Sequence, residues 1–437
     1  MIFDKDIPEL EAYRRYENSL SLQSREDLEE LVVFGRNDAA PVHKWFRFKE
    51  GFSSSLLKTV LAEFDDVLPK KLSLLDPYCG SGTSLLSAQF STARQISAIG
   101  IERSPFIHFI AKTKCSWRNL RHETLLNDGE LAIEFGNDLN VSLPDLSSIH
   151  SGRCISTHIA GRLMAIDQAA RCLPLNSAFV RLGIASSIEP LSKIRRDGRA
   201  LRIVEKPRKL VRTVLRDNWD RMAKDVASLS ATSLIVNDNP LVLLGDGRHP
   251  MSLGIEDGSV DLILTSPPYP NNIDYSEVYK LELWILGFIK SKEEFLKLRY
   301  STLRSHPTFD RRSELDDDFV AEVKDGKLSD IVGAVIARLE LSGETWRVKM
   351  LLGYFNDLWN AVRNYKKTLK RSGLAIFVIG NSLHGTSHPA LIASDLALAR
   401  IGECHGFKAH VSIARGLKRR LSGNHFLRES IVILRSK

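Results

Sequence analysis

LSLLDPYCGSGTSLLSAQF, residues 72–90, runs from an apolar segment through a glycine-containing turn into an amphipathic segment. Leu72 to Leu75 reads as a short buried strand, and a helix is expected from Thr83 to about Phe90. Between them Gly80 and Gly82 let the backbone turn tightly with its N–H groups facing a ligand. Outward from this stretch, ISAIGIERSP supplies a second buried strand, Ile96 to Ile101, ending on the acid Glu102. Strand, turn, helix, strand and acid, in that order, open a doubly wound α/β sheet. The rhythm returns in PLVLLGDGR and SVDLILTSPPY, with strand cores at Val242 to Leu244 and Val260 to Leu264 and a helix expected near Ser276 to Phe288. GLAIFVIGNS and HFLRESIVILR give two further strands, with a helix over Ala390 to Ile401 between them.

A chain of 437 residues accommodates one enlarged enzyme domain or two to three smaller units. Hydrophobic residues at 43% and charged residues at 26% exclude a disordered chain, a collagen-like repeat and a coiled-coil rod. No apolar run approaches the roughly 20 residues of a membrane helix, and MIFDKDIPELE lacks the pattern of a secretory signal, so a cytoplasmic location without membrane contact is expected. The five cysteines are scattered without a CxxC pair and the twelve histidines show no HxxxH spacing, so neither a disulfide framework nor a metal site is expected.

The net charge of +8 leans toward a polyanionic partner. That excess is local: Lys193 to Lys224 holds twelve basic residues against four acidic ones. Arg195, Arg196, Arg199, Arg202, Arg208 and Lys209 are the candidate phosphate and base contacts of this run, which otherwise reads as a solvated basic face.

No lysine follows Gly82, which disfavours a triphosphate-cradling loop, and the turn is an incomplete dinucleotide fingerprint. Glu102, about 20 residues past the glycines, sits where an acid accepts hydrogen bonds from both ribose hydroxyls of an adenosine moiety. The chemistry then turns on Thr265, Ser266, Pro267, Pro268 and Tyr269, directly after a strand. Consecutive prolines fix local dihedrals at a strand's carboxyl end, where such sheets bind ligands. An exocyclic base amine conjugates its lone pair into the ring, so methylating it needs acceptors for its N–H groups. Ser266 and the Pro267 carbonyl supply them, and Tyr269 offers a stacking face for an extruded base.

DPYCGSGT, Glu102 in GIERSP, GDGR and TSPPY together resemble the S-adenosylmethionine-dependent DNA methyltransferases that modify exocyclic amines, most closely the N4-cytosine group with its SPPY motif. The resemblance implies a Rossmann-like methyltransferase sheet with a largely helical, basic insertion. It implies that Asp76, Tyr78, Gly80 and Gly82 line the methionine end of S-adenosylmethionine, that Glu102 holds the ribose, and that Asp246 lies near the adenine, with Phe52 and Ser53 as further cofactor contacts. Ser266, Pro267, Pro268 and Tyr269 would form the catalytic pocket, and Asn381 would support its wall or close a strand-end turn. Cys79, inside the cofactor turn, is not expected to act as a nucleophile.

On this reading residues 1–40 form an N-terminal helical arm, 41–115 the cofactor half of the core, and 116–234 the basic insertion and first candidate for target recognition. Residues 235–288 form the catalytic half, 289–350 a second helical insertion, and 351–437 the C-terminal part of the core. The expected partners are double-stranded DNA and a cognate restriction endonuclease or other defence-system subunit. N6-adenine methylation, RNA amino-methylation and a non-catalytic DNA-binding subunit are the alternatives.

Overall fold

The computed structural model describes residues 9–143, 153–196, 201–232, 237–271, 273–306, 314–384, 389–417 and 426–436. Its twelve described strands are β1 (Ser21–Ser24), β2 (Lys71–Asp76), β3 (Gln95–Glu102), β4 (Ile194–Arg196), β5 (Leu201–Ile203), β6 (Leu241–Leu244), β7 (Val260–Thr265), β8 (Leu369–Gly380), β9 (Ser382–His384), β10 (Ala390–Ile392), β11 (Phe407–Gly416) and β12 (Arg428–Ser436). Eight of them form one sheet in the order β1-β11-β12-β8-β7-β2-β3-β6. Every neighbouring pair is parallel except the two made by β12, which runs antiparallel to both β11 and β8. From β2 the chain moves outward through β3 and β6, then returns to β7 on the other side of β2 and moves outward through β8.

The central strands are apolar on both faces, as parallel strands covered on two sides must be. Leu72, Leu74, Leu262, Leu264, Leu374 and Ile376 enter one core, while Leu75, Ile263, Ala375 and Phe377 enter the other. Helices Leu56–Glu63, Thr83–Gln89 and Pro105–Cys115 cover the first face, and four helices between Leu125 and Ala231 extend that same core outward. Trp219, fully buried, lies against Gly129 and Gly183 and donates its indole N–H to the Val180 carbonyl at 3.0 Å. The second face is covered by helices Leu10–Ser19, Thr345–Thr368 and Ser394–Cys404. Of residues 289–350, expected as a second helical insertion, Phe319, Val323, Val335 and Leu339 are buried in this second core, while Ile289, Phe295 and Leu298 join the first.

Three expectations change. Ala390 to Ile392 is strand β10, paired with β9, and the helix begins only at Ser394. The helix expected over 276–288 breaks at Tyr279 into Tyr275–Val278 and Lys280–Ile285. Strands β1 and β11, absent from the sequence reading, extend the sheet beyond β12. Among the described residues no helix is long and apolar enough to cross a membrane.

Candidate active site

The carboxyl ends of β2 and β7, adjacent strands from which the chain departs in opposite directions, carry Asp76 and Thr265. Such a point leaves a crevice between diverging connections. Asp76 is 2% exposed and fully engaged. Thr265 Oγ1 donates to Oδ1 at 2.6 Å, the Tyr78 N–H donates to Oδ1 at 3.1 Å, and the Ser84 hydroxyl donates to Oδ2. One carboxyl thus ties both strand ends to the turn and to the helix that follows. Ser84 does not stand out in the sequence, and Thr265, visible there as part of the Thr-Ser-Pro-Pro-Tyr segment, finds its partner only when the fold brings Asp76 to it from 189 positions away.

A cleft opens at this point, lined by Phe48, Phe52, Asp76, Tyr78, Gly80, Glu102, Asp246, Ser266 and Pro268. Gly80 has a positive φ of 51°, and a Cβ there would lie 2.9 Å from the Phe48 ring. Gly82, φ 86°, begins the helix but faces Cys115 and Ala111 and does not line the cleft. It shapes the turn from behind. Gly247 allows the loop after β6 to approach the turn, since a Cβ would fall 1.9 Å from the Pro77 carbonyl oxygen. That approach puts Asp246 on the cleft wall. Ser53 does not reach the cleft: it is fully buried, with its N–H bonded to the Leu31 carbonyl at 2.9 Å, so of the two expected contacts in that segment only Phe52 lines it.

Glu102 ends β3, and its Oε1 accepts from the Ser104 N–H at 2.7 Å. Asp246 accepts from Arg248 through Nε at 3.0 Å and Nη2 at 2.7 Å, and Arg248 reaches on to Asp357 at 2.8 Å, which also holds Arg304. Burial opposes ionisation of Asp246, yet Arg248 keeps its carboxyl below the usual range. Through these pairs the segment Leu298 to His306 is drawn over the cleft: Leu298, Ser301, Leu303 and His306 line it, and Arg103 Nε donates to Ser301 Oγ at 2.8 Å. No motif in the sequence signals this roof.

Burial pushes the Asp76 carboxyl up to about 6 and the Glu102 carboxyl up to about 7, against hydrogen bonds that favour ionisation. Between about pH 4 and their raised values both groups hold protons in the folded chain that the unfolded chain has released. Their stabilisation is therefore full below about pH 4 and is lost as pH rises through about 6 and 7. Ligand-free protein is expected to lose melting temperature over that window, and Glu102→Gln should flatten the upper part of the decline; an identical scanning-calorimetry profile for the variant contradicts the assignment. Burial also pushes the Cys79 thiol well up, so this cleft residue is a poor thiolate.

A second cavity lies on the other side of Ser266, lined by Lys49, Tyr269, Asn271, Asn381, His384, Arg415 and Glu429 among others. Ser266 Oγ and Tyr269 OH are 3.5 Å apart. The Pro270 carbonyl accepts from Ser382 Oγ at 3.0 Å and lies 2.6 Å from His384 Nε2, so the β9–β10 hairpin holds the proline-rich loop in place. Asn381 lines this cavity but spends its amide on the wall, donating to Asp395 at 2.8 Å and to the Phe426 carbonyl at 2.9 Å. The structure thus brings Ser266, Pro268 and Tyr269 to the two cavities. Pro267 is buried behind them and lines neither.

The basic run divides. Arg195 and Arg202 are exposed and directly opposite each other across the β4–β5 hairpin, and Arg208 and Lys209 are exposed further on. Arg196 turns inward instead, correcting its assignment as a surface contact: it is 5% exposed, pairs with Glu189 at 2.9 Å and with the buried Glu282, and lies 4.7 Å over the Tyr279 ring. A buried guanidinium needs such partners, and Glu282, 86 positions away, gave no warning of it. Arg199 lies outside the described residues.

No family model matches the chain. It is 26% identical over 436 residues to the type II methyltransferase M.BsoBI of Geobacillus stearothermophilus, covering 86% of this chain and 81% of that protein. It is 25% identical over 408 residues, with the same coverage, to the type II methyltransferase M.AvaI of a Nostoc strain and of Anabaena variabilis. Over most of its length the chain is therefore similar to type II methyltransferases, and this similarity supports an enzyme of the methyltransferase class.

Proposed function

We propose that the chain is an S-adenosylmethionine-dependent DNA methyltransferase that modifies the exocyclic N4 amine of cytosine in a flipped-out base, built on a doubly wound, Rossmann-like sheet. The observation that carries this reading is that two cavities meet at Ser266, at the carboxyl ends of the two central strands. Group transfer between two bound molecules needs such a meeting point.

The first cavity suits the cofactor. Its carboxyls Asp76, Glu102 and Asp246 favour a ligand bearing sulfonium and ammonium charges, and Phe48, Phe52, Ile101 and Ile107 provide apolar wall for an adenine ring. When bound, S-adenosylmethionine supplies an electrophilic methyl group. Glu102 would accept from the ribose hydroxyls, and the Gly80 turn would hold the methionine portion. In the second cavity Tyr269 stacks on the extruded base and Ser266 accepts an amine N–H, which turns the nitrogen lone pair toward the first cavity. A Thr-Ser-Pro-Pro-Tyr segment with serine in place of an acid supports cytosine as the base.

The exposed arginines of the β4–β5 hairpin support DNA as the polyanion. Arg195 and Arg202, exposed and side by side on paired strands, concentrate positive charge on one surface. Replacing Arg195 and Arg202 with alanine is expected to weaken binding to all sequences alike and to reduce the slope of log affinity against log salt by about 2. An unaltered slope moves the contact elsewhere. The type II naming of the relatives supports a restriction–modification setting with a cognate endonuclease. The functional test is transfer of labelled methyl from S-adenosylmethionine to unmethylated double-stranded DNA and to RNA of the same sequence: label on DNA supports the reading, label on RNA alone overturns it.

A further inference from the structure

The two cavities share four lining residues, Glu50, Gly51, Ser266 and Tyr275, and of these only Glu50 carries a carboxyl. Its Oε2 accepts from Tyr279 OH at 2.9 Å, while Oε1 is shielded from solvent and has no hydrogen-bond partner. Tyr279 is itself fixed, stacked on Phe48 with ring centroids 5.5 Å apart and with the Arg196 guanidinium 4.7 Å from its ring centroid. A rigid carboxyl therefore stands at the neck between the cavities with one oxygen uncommitted. Leaving such an oxygen unsatisfied is costly unless a ligand meets it.

The proposed reaction, on which this inference rests, has a role for that oxygen. As the amine lone pair forms the new N–CH3 bond, the S–CH3 bond of the sulfonium donor breaks and its electron pair stays on sulfur as a neutral thioether. The amine nitrogen is left positively charged and must release one proton. The Ser266 hydroxyl is too weak a base to keep it, backbone carbonyls cannot, and the Tyr269 and Tyr275 phenols are already protonated, their pKa values raised by burial.

We propose that Glu50 is a catalytic residue: its carboxylate accepts a hydrogen bond from the amine being methylated and takes the released proton, leaving a neutral carboxylic acid and a neutral methylamino base. Burial raises the affinity of Glu50 for a proton, opposed by Tyr279 OH and by the positive charges of Arg196 and Lys49, with Tyr275 also nearby. The net direction is upward, toward the range in which a carboxylate serves as a base near neutral pH.

Single-turnover transfer is to be measured across pH for wild type, Glu50→Gln and Glu50→Asp, with cofactor affinity determined separately by calorimetry. Wild type should show an acid limb that levels off as pH rises. Glu50→Gln should bind cofactor, lose about 100-fold in rate and lose the limb, and Glu50→Asp should recover both in part. A Gln variant within about tenfold of wild type, or one that is slow but keeps the limb, overturns the proposal. Should the Gln variant not fold, the Asp variant decides, a missing limb overturning the proposal. Independently of turnover, infrared difference spectra of ligand-free protein between about pH 5 and about pH 9 contain carboxylic acid bands from Asp76 and Glu102, and subtracting the Glu50→Gln spectrum from that of wild type should leave one further such band; a subtraction that leaves none contradicts the role. A wild type that transfers no methyl group at all overturns the functional reading itself.

Discussion

Ser266→Ala is expected to lower methyl transfer to DNA by about 100- to 1000-fold while leaving the affinity for S-adenosylmethionine nearly unchanged. Ser266 stands at the junction of the two cavities, and among the described residues its hydroxyl makes only a long contact with Tyr269 OH, 3.5 Å away. Its oxygen can therefore turn to an incoming amine. Removing that acceptor leaves the amine lone pair conjugated into the ring, and the loss falls on the transfer step rather than on binding. The fold should tolerate the change, since a partly exposed serine that gives up a weak hydrogen bond costs little. Comparing single-turnover rate with calorimetric cofactor affinity separates the two effects. Equal losses in both would assign Ser266 to the cofactor cleft instead.

The second large effect is on stability. Asp395→Ala should cost about 3–5 kcal/mol, read as a fall in the denaturant midpoint. Asp395 is fully buried and its Oδ2 accepts from Arg428 Nε and Ser430 Oγ, both at 2.8 Å, while Oδ1 accepts from Asn381 and from the Leu396 N–H. Arg428, 1% exposed, would keep Glu17 but lose the carboxyl along its Nε edge. Burial opposes the charge on Asp395, yet these donors hold its carboxyl below the usual range, which shows how closely the pocket is matched to an ion. The damage should spread to the wall of the second cavity, because Asn381 adjoins Ser382, which holds the Pro270 carbonyl. A midpoint within experimental error of wild type would mean that water or Glu17 replaces the lost partner.

The central strands were legible because a strand covered on both faces is a mostly apolar run, as in LSLL, VDLIL and LAIFVIG, where Ser73 and Asp261 are the polar exceptions. The strand β11 was not, since FKAHVSIARG alternates Lys408, His410 and Ser412 with apolar residues and lies toward the sheet's edge, where a polar face is tolerated. SLQS, four residues long, carries no periodicity to read. At the site, residues at strand ends were visible through their glycines, prolines and acids: Asp76, Gly80, Glu102, Asp246, Ser266 and Tyr269 all reach a cavity. What stayed hidden depends on distant pairings. Glu50 sits in an ordinary charged segment until Tyr279 fixes it from 229 positions away, and the Arg248–Asp357–Arg304 ion cluster that draws the roof over the cleft joins three separate segments. Arg196 shows the reverse error, where a run of charge suggested surface and the fold supplied the half-buried Glu189 and the buried Glu282. Sequence reveals which residues end strands; it does not reveal which side chains meet across them.

The most direct test of the account is to incubate the protein with S-adenosylmethionine and unmethylated double-stranded DNA, digest the DNA to nucleosides and identify the modified base by mass spectrometry. The account predicts N4-methylcytosine, absent from a parallel reaction with Ser266→Ala. N6-methyladenine or 5-methylcytosine in its place would contradict it.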